Sequence, residues 1–324
     1  MPKWFVFILN HIECRDATPI EVIPGHFFQK ADPGQIARIR DVLALLYPYP
    51  LAGFFPYEYD ICDVREDTTG SQSWTSRPLD SRDWKYWVIS FEGSNSEIRD
   101  LQYAAALLKN DLEFGFTVIG AMPGVSSKRE DGYTGYSWKL PQVMSYIDQD
   151  HLALIPPIRI STRDLQQIGQ NYGAIKKVSE DQNRLMRAFK RFDDLRSLPR
   201  NSELIVLGLF SIIECLLTHA PKGSETGDSL THQLRTKVPL VRKRFVRPLQ
   251  YEAFFSSGAK EETIWIKLYT YRSRVVHGED VGIDGELGIL QGRQNIISCL
   301  QETVKLLLLL ALKEPELLED LRKC

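Results

Sequence analysis

Two hydrophobic rhythms divide this chain. In its first half the apolar positions come in short compact runs, at residues 4–9, 86–91 and 114–119, each the length of one strand. Glu92, Gly93, Ser94 and Asn95 close the second run, and Ser96 predicts the cap of a helix through Leu107. Ile98, Leu101, Ala105 and Leu108 would share its buried face. Segments 63–83 and 122–135, rich in Gly, Ser, Asp and Thr, read as loops.

At Ile155, Pro156 and Pro157 the pattern changes, because paired prolines stiffen an extended link. Beyond it the period is helical. Helices are predicted over 161–175, 177–198, 201–219, 228–246, 248–256, 261–277 and 287–312. The fold class is therefore α+β: a mixed α/β domain over 1–155, then an all-α bundle over 156–324.

With 43% apolar and 25% charged residues the composition is that of an ordinary globular protein, and the net charge of −2 does not suggest a nucleic-acid binder. The halves differ, however. Residues 1–150 hold 14 basic and 21 acidic side chains, a net of −7; residues 151–324 hold 26 and 21, a net of +5. Cys14, Cys62, Cys215, Cys299 and Cys324 form no Cys-x-x-Cys pair, and their odd number suits a reducing cytosol. The first residues lack the apolar run of a signal peptide, and the greasiest segment, 306–312, is far short of a membrane span, so a cytoplasmic protein without a membrane partner is expected.

The basic half carries the candidate chemistry. Arg272 and His277 stand five positions apart near the end of an apolar helical segment, followed by Gly278. Arginine holds a phosphate through parallel hydrogen bonds, and histidine both gives and takes protons near neutral pH. Positions five apart lie about 140° apart around a helix, so both reach one phosphate only if the helix opens near His277; Gly278 supplies such an ending. A second candidate is the acid-free stretch with Arg235, Lys237, Arg242, Lys243, Arg244 and Arg247, which together would bind an RNA backbone. His219, His232 and Cys215 fit no zinc spacing, so no metal and no cofactor is expected.

The run Tyr269, Thr270, Tyr271, Arg272, Ser273, Arg274, Val275, Val276, His277, Gly278 resembles the Arg-x-x-x-x-His signature of the HEPN superfamily, in its Apea-like branch. The apolar segment 207–217 with its one acid, Glu214, is similar to an earlier helix of that domain. The resemblance covers about 160–320. It implies a metal-independent endoribonuclease whose catalytic pair, Arg272 and His277, meets a second pair across a homodimer interface. It further implies RNA as partner, a toxin or phage-defence role, and restraint by an antitoxin or trigger. Glu214 would orient an arginine. Ser273, where many members carry Asn, Asp or His, would support by hydrogen bonding only. Glu279 stands where some relatives have a modified tyrosine, so that form of control is not expected. The alternative is a non-catalytic HEPN dimerisation or RNA-binding module. The 1–155 domain would act as sensor or substrate selector.

Overall fold

The computed structural model describes residues 3–46, 59–68, 71–92, 95–121, 124, 129–138, 143, 157–178, 183–220, 229–256 and 258–323. The chain divides into two compact units, Met1–Tyr172 and Gly173–Cys324.

The first unit is built on a six-stranded sheet of order β3-β4-β7-β1-β8-β9, with every neighbouring pair antiparallel. The strands are β1 (Lys3–Ile8), β3 (Ile20–Ile23), β4 (His26–Lys30), β7 (Trp87–Glu92), β8 (Phe114–Gly120) and β9 (Tyr133–Trp138). The central strand β1 is buried from Trp4 through Ile8, covered on both faces, which is why it reads as an unbroken apolar run. Helix α1 (Pro33–Leu46) packs Ile39, Val42 and Leu43 against Phe5, Phe7, Val88 and Phe116. A second helix, α2 (Ile98–Ala106), follows a 3-10 turn over Asn95–Glu97; Ser96 lies inside that turn and does not cap the helix.

Three sequence expectations change here. Part of segment 63–83, read as a loop, is a hairpin of β5 (Ile61–Thr68) and β6 (Ser71–Pro78), whose backbones pair over eight positions. Two strands that satisfy each other's N–H and C=O groups need no apolar alternation to form. The loop read over 122–135 already enters β9 at Tyr133, and several of its positions lie outside the described residues. The domain boundary also moves, from 155/156 to Tyr172/Gly173. Of the proline link, Ile155 and Pro156 lie outside the described residues. Just after it, β10 (Ile158–Arg159) pairs in parallel with β2 (Ile12–Glu13), and α3 (Thr162–Ile175) belongs to the first unit as far as Tyr172. Gly169 of α3 sits so close to the backbone of Val22 that a Cβ would overlap it. Asn171 Nδ2 donates to Ala104 O at 3.3 Å. Ser161 and Asp164 cap α3 reciprocally, each accepting from the other's N–H.

The second unit is helical: α4 (Asn183–Asp194), α5 (Glu203–Leu217), α6 (Leu230–Arg242), α7 (Glu261–Val276), α8 (Arg293–Lys313) and α9 (Pro315–Lys323). Helix α5 touches all five others, which explains its nearly continuous apolar sequence. Ser202 caps its start, and Gly208 leaves space that Leu195 fills. Helix α8 begins six residues later than its hydrophobic pattern suggests. Gly285–Leu290 is a 3-10 segment, and Gln291 at φ 58° breaks the chain before Arg293. The helix expected over 248–256 is reduced to a single 3-10 turn, Tyr251–Ala253. Helix α8 is long and apolar enough to cross a membrane, but 67% of its apolar window is buried inside the protein, as in a core helix.

Candidate active site

Helix α7 presents the Arg-His motif. Its inner face buries Ile264, Trp265, Leu268 and Tyr271. Trp265 Nε1 donates to Tyr251 Oη at 2.8 Å, and Tyr271 Oη accepts from Arg293 Nε at 3.2 Å, so two buried aromatics fix the helix rotation. Burial raises the Tyr271 hydroxyl pKa above that of a free tyrosine, and Arg293 opposes the rise. The outward stripe runs through Ile266, Thr270, Ser273 and His277, spaced four, three and four apart.

The helix ends as the glycine suggests. His277 occupies the C-cap at φ −82°, ψ 2°, and Gly278 turns left-handed at φ 73°. The Gly278 N–H donates to Val275 O, and the Glu279 N–H to Arg274 O, both at 3.1 Å, which is a Schellman ending. His277 is thereby placed on the exposed tip of the helix.

Arg272 sits differently. Its side chain is 25% exposed, with Nη2 at 3.5 Å from Glu214 Oε1 on α5 and its guanidinium 5.5 Å above the Tyr269 ring. Among the described residues, neither Arg272 Nε nor Glu214 Oε1 has a hydrogen-bond partner. The contact is therefore a charge attraction, not a fork of hydrogen bonds, and the guanidinium is steered without being fully engaged. Desolvation lifts the Glu214 pKa above the usual carboxylate value, partly offset by Arg272. Arg272 and His277 share no hydrogen bond; Ser273, half-buried, lies between them on the helix.

The basic stretch does not form one cationic face. Lys237 is buried, its ammonium donating to Leu217 O at 3.2 Å and to Gln233 Oε1 at 3.3 Å, and so closes the end of α5. Arg242 pairs with Glu261 at 3.2 Å, Arg244 with Glu314 at 2.7 Å, and Arg247 grips Glu302 through two bonds of 2.7 and 3.2 Å. The stretch therefore does not offer six unpaired cations. Four are held by the fold, Arg242, Arg244 and Arg247 by carboxylates and Lys237 by two neutral oxygens, while half-buried Arg235 and exposed Lys243 form no ion pair among the described residues. The sequence concealed this because the partners lie up to 70 positions away.

Three further residues belong to the motif surface. Tyr269, three positions before Arg272, was legible as a helix neighbour. Arg274 pairs with Glu286 at 3.0 Å. Arg191 of α4 donates to Ser211 Oγ of α5 at 3.3 Å, and nothing in its local sequence marks it. No group of three potential metal ligands occurs among the described residues, and His219 Nδ1 lies 3.0 Å from the Arg322 carbonyl. No family model, curated protein or solved structure matches the chain.

Proposed function

We propose that the helical unit is a metal-independent endoribonuclease of the HEPN, Apea-like type, acting as a homodimer. The observation that carries this reading is the pairing on one helix of a partly exposed arginine, oriented by Glu214, with an exposed histidine on a Schellman-capped tip. RNA supplies its own nucleophile. A neutral imidazole takes the ribose 2′-OH proton as O2′ bonds to the adjacent phosphorus. The bond to O5′ breaks, and an imidazolium gives that oxygen a proton, leaving a 2′,3′-cyclic phosphate and a free 5′-OH. Arg272 offsets the charge that builds on the non-bridging oxygens.

One histidine cannot give and take protons on opposite sides of one phosphorus in a single pass. Two copies joined along the stripe of Ile266, Ser273 and His277 supply both. Ile266 at 36% exposure and Val276 at 50% are apolar surface that such a contact would cover. Glu214 and Ser273 support the arginine. Cytoplasmic location, an effector role as toxin or phage defence, and restraint by an antitoxin or trigger belong to the same proposal, with 1–155 as its sensing region.

The test is a DNA strand containing a single ribonucleotide, incubated with the full chain in EDTA. Cleavage directly 3′ of the ribose, ending in a cyclic phosphate, supports the reading; cutting of an all-DNA strand refutes it. One observation favours the non-catalytic alternative, an RNA-binding or dimerisation module: the Arg272 charge already faces Glu214 and Tyr269. That module would bind RNA and never cut it.

A further inference from the structure

The outer surface of α5 joins two arginines from different helices. Leu204, Leu207, Ser211 and Glu214 follow one another at spacings of three and four, so they form one strip along the helix. Leu204 is 57% exposed, and Leu207, Ser211 and Glu214 are half-buried, so this strip reaches solvent. At Glu214 it meets Arg272 of α7, 3.5 Å away. One turn earlier, at Ser211, it meets Arg191 of α4, whose Nη1 donates to the hydroxyl at 3.3 Å.

Arg191 differs from several other arginines of the helical unit in what balances its charge. Arg242, Arg244, Arg247, Arg274 and Arg293 each face a carboxylate. Arg191 is exposed, touches a neutral hydroxyl, and among the described residues has no acid within ion-pair distance. Its guanidinium donates one hydrogen bond to Ser211, so most of its donors face outward. An uncompensated arginine, steadied by a serine one turn from the glutamate that faces the proposed catalytic arginine, has the chemistry of a backbone phosphate contact.

We propose that Arg191, steadied by Ser211, is a second phosphate-binding residue of the same site, gripping a phosphate next to the one held by Arg272 on one RNA strand. The proposal rests on the nuclease reading for its substrate, but its test does not depend on cleavage. Binding of a fluorescent, fully 2′-O-methylated RNA, which lacks the nucleophile, is measured against salt concentration in EDTA. Arg191→Ala is expected to weaken binding about tenfold. It is also expected to flatten the slope of log affinity against log salt by about 0.7, the signature of one lost single-strand phosphate contact. Arg191→Lys keeps the slope, Ser211→Ala gives a smaller loss, and Arg187→Ala, on the same helix, leaves binding unchanged.

Equal slopes for Arg191→Ala and wild type overturn the proposal, as does an equal loss in Arg187→Ala, or no RNA binding by the wild type. If the wild type cuts ordinary RNA through Arg272 and His277 but Arg191→Ala binds normally, this inference fails and the nuclease reading stands. If nothing is cut yet Arg191→Ala loses one contact, the nuclease reading fails and the RNA surface stands.

Discussion

Two arginine-rich regions of the helical unit look alike in sequence and differ in structure. Residues 235–247 carry six cations without an acid between them, yet Arg242, Arg244 and Arg247 are neutralised by Glu261, Glu314 and Glu302, and Lys237 is buried against the end of α5. The end of α7 has fewer cations, but there Arg272 is only loosely opposed and His277 is exposed. The contrast shows that local charge does not define a binding surface. What counts is whether distant carboxylates have already met the cations.

The largest stability change should come from the basic stretch. Lys237→Ala removes the ammonium that bonds Leu217 O and Gln233 Oε1, and is expected to cost about 2–3 kcal/mol in urea unfolding. A loss below a few tenths would mean that Lys237 is a surface cation after all. Arg247→Ala breaks the two-pronged contact with Glu302 and is expected to cost about 1–2 kcal/mol while leaving RNA cleavage unchanged. Reduced cleavage in that variant would erase the distinction between the two regions.

At the α7 tip the effects on stability are smaller. Gly278→Ala places a side chain at φ 73°, where nothing crowds the Cβ, so the cost is backbone strain of about 1 kcal/mol, read as a lowered urea midpoint. Glu214 gives the smallest change, seen in the pH dependence. Its pKa is raised in the folded state by desolvation, so the folded protein holds this proton more tightly than the unfolded chain. The resulting stability is present below the ordinary value of 4.5 and lost as pH rises through the raised value. Glu214→Gln should flatten stability across that window. An unchanged profile would show that Glu214 is not desolvated in the folded protein.

The sequence disclosed what burial writes into it. Strands β1, β7 and β8 were legible because they are central and nearly all apolar. The β3–β4 hairpin was not, because β4 is half-solvated and alternates, and β5–β6 forms through backbone pairing. Helices α5 and α7 were legible from their apolar patterns and caps. The start of α8 was not, because the residue that turns left-handed at the end of the 3-10 segment is Gln291, and the glycine beside it, Gly292, is the N-cap of the helix. At the site, Arg272, His277 and Gly278 could be read from one stretch. The Arg191–Ser211 contact spans 20 positions and joins two helices, so only packing reveals it.

The central claim is that cutting depends on the α7 tip and not on the basic stretch. Its most direct test is RNA cleavage in EDTA by the wild type, Arg272→Ala, His277→Ala and Arg247→Ala. The account predicts cutting by the first and last, and a loss of at least about a hundredfold in the other two. Cutting that persists in both Arg272→Ala and His277→Ala, or that disappears equally in Arg247→Ala, would contradict it.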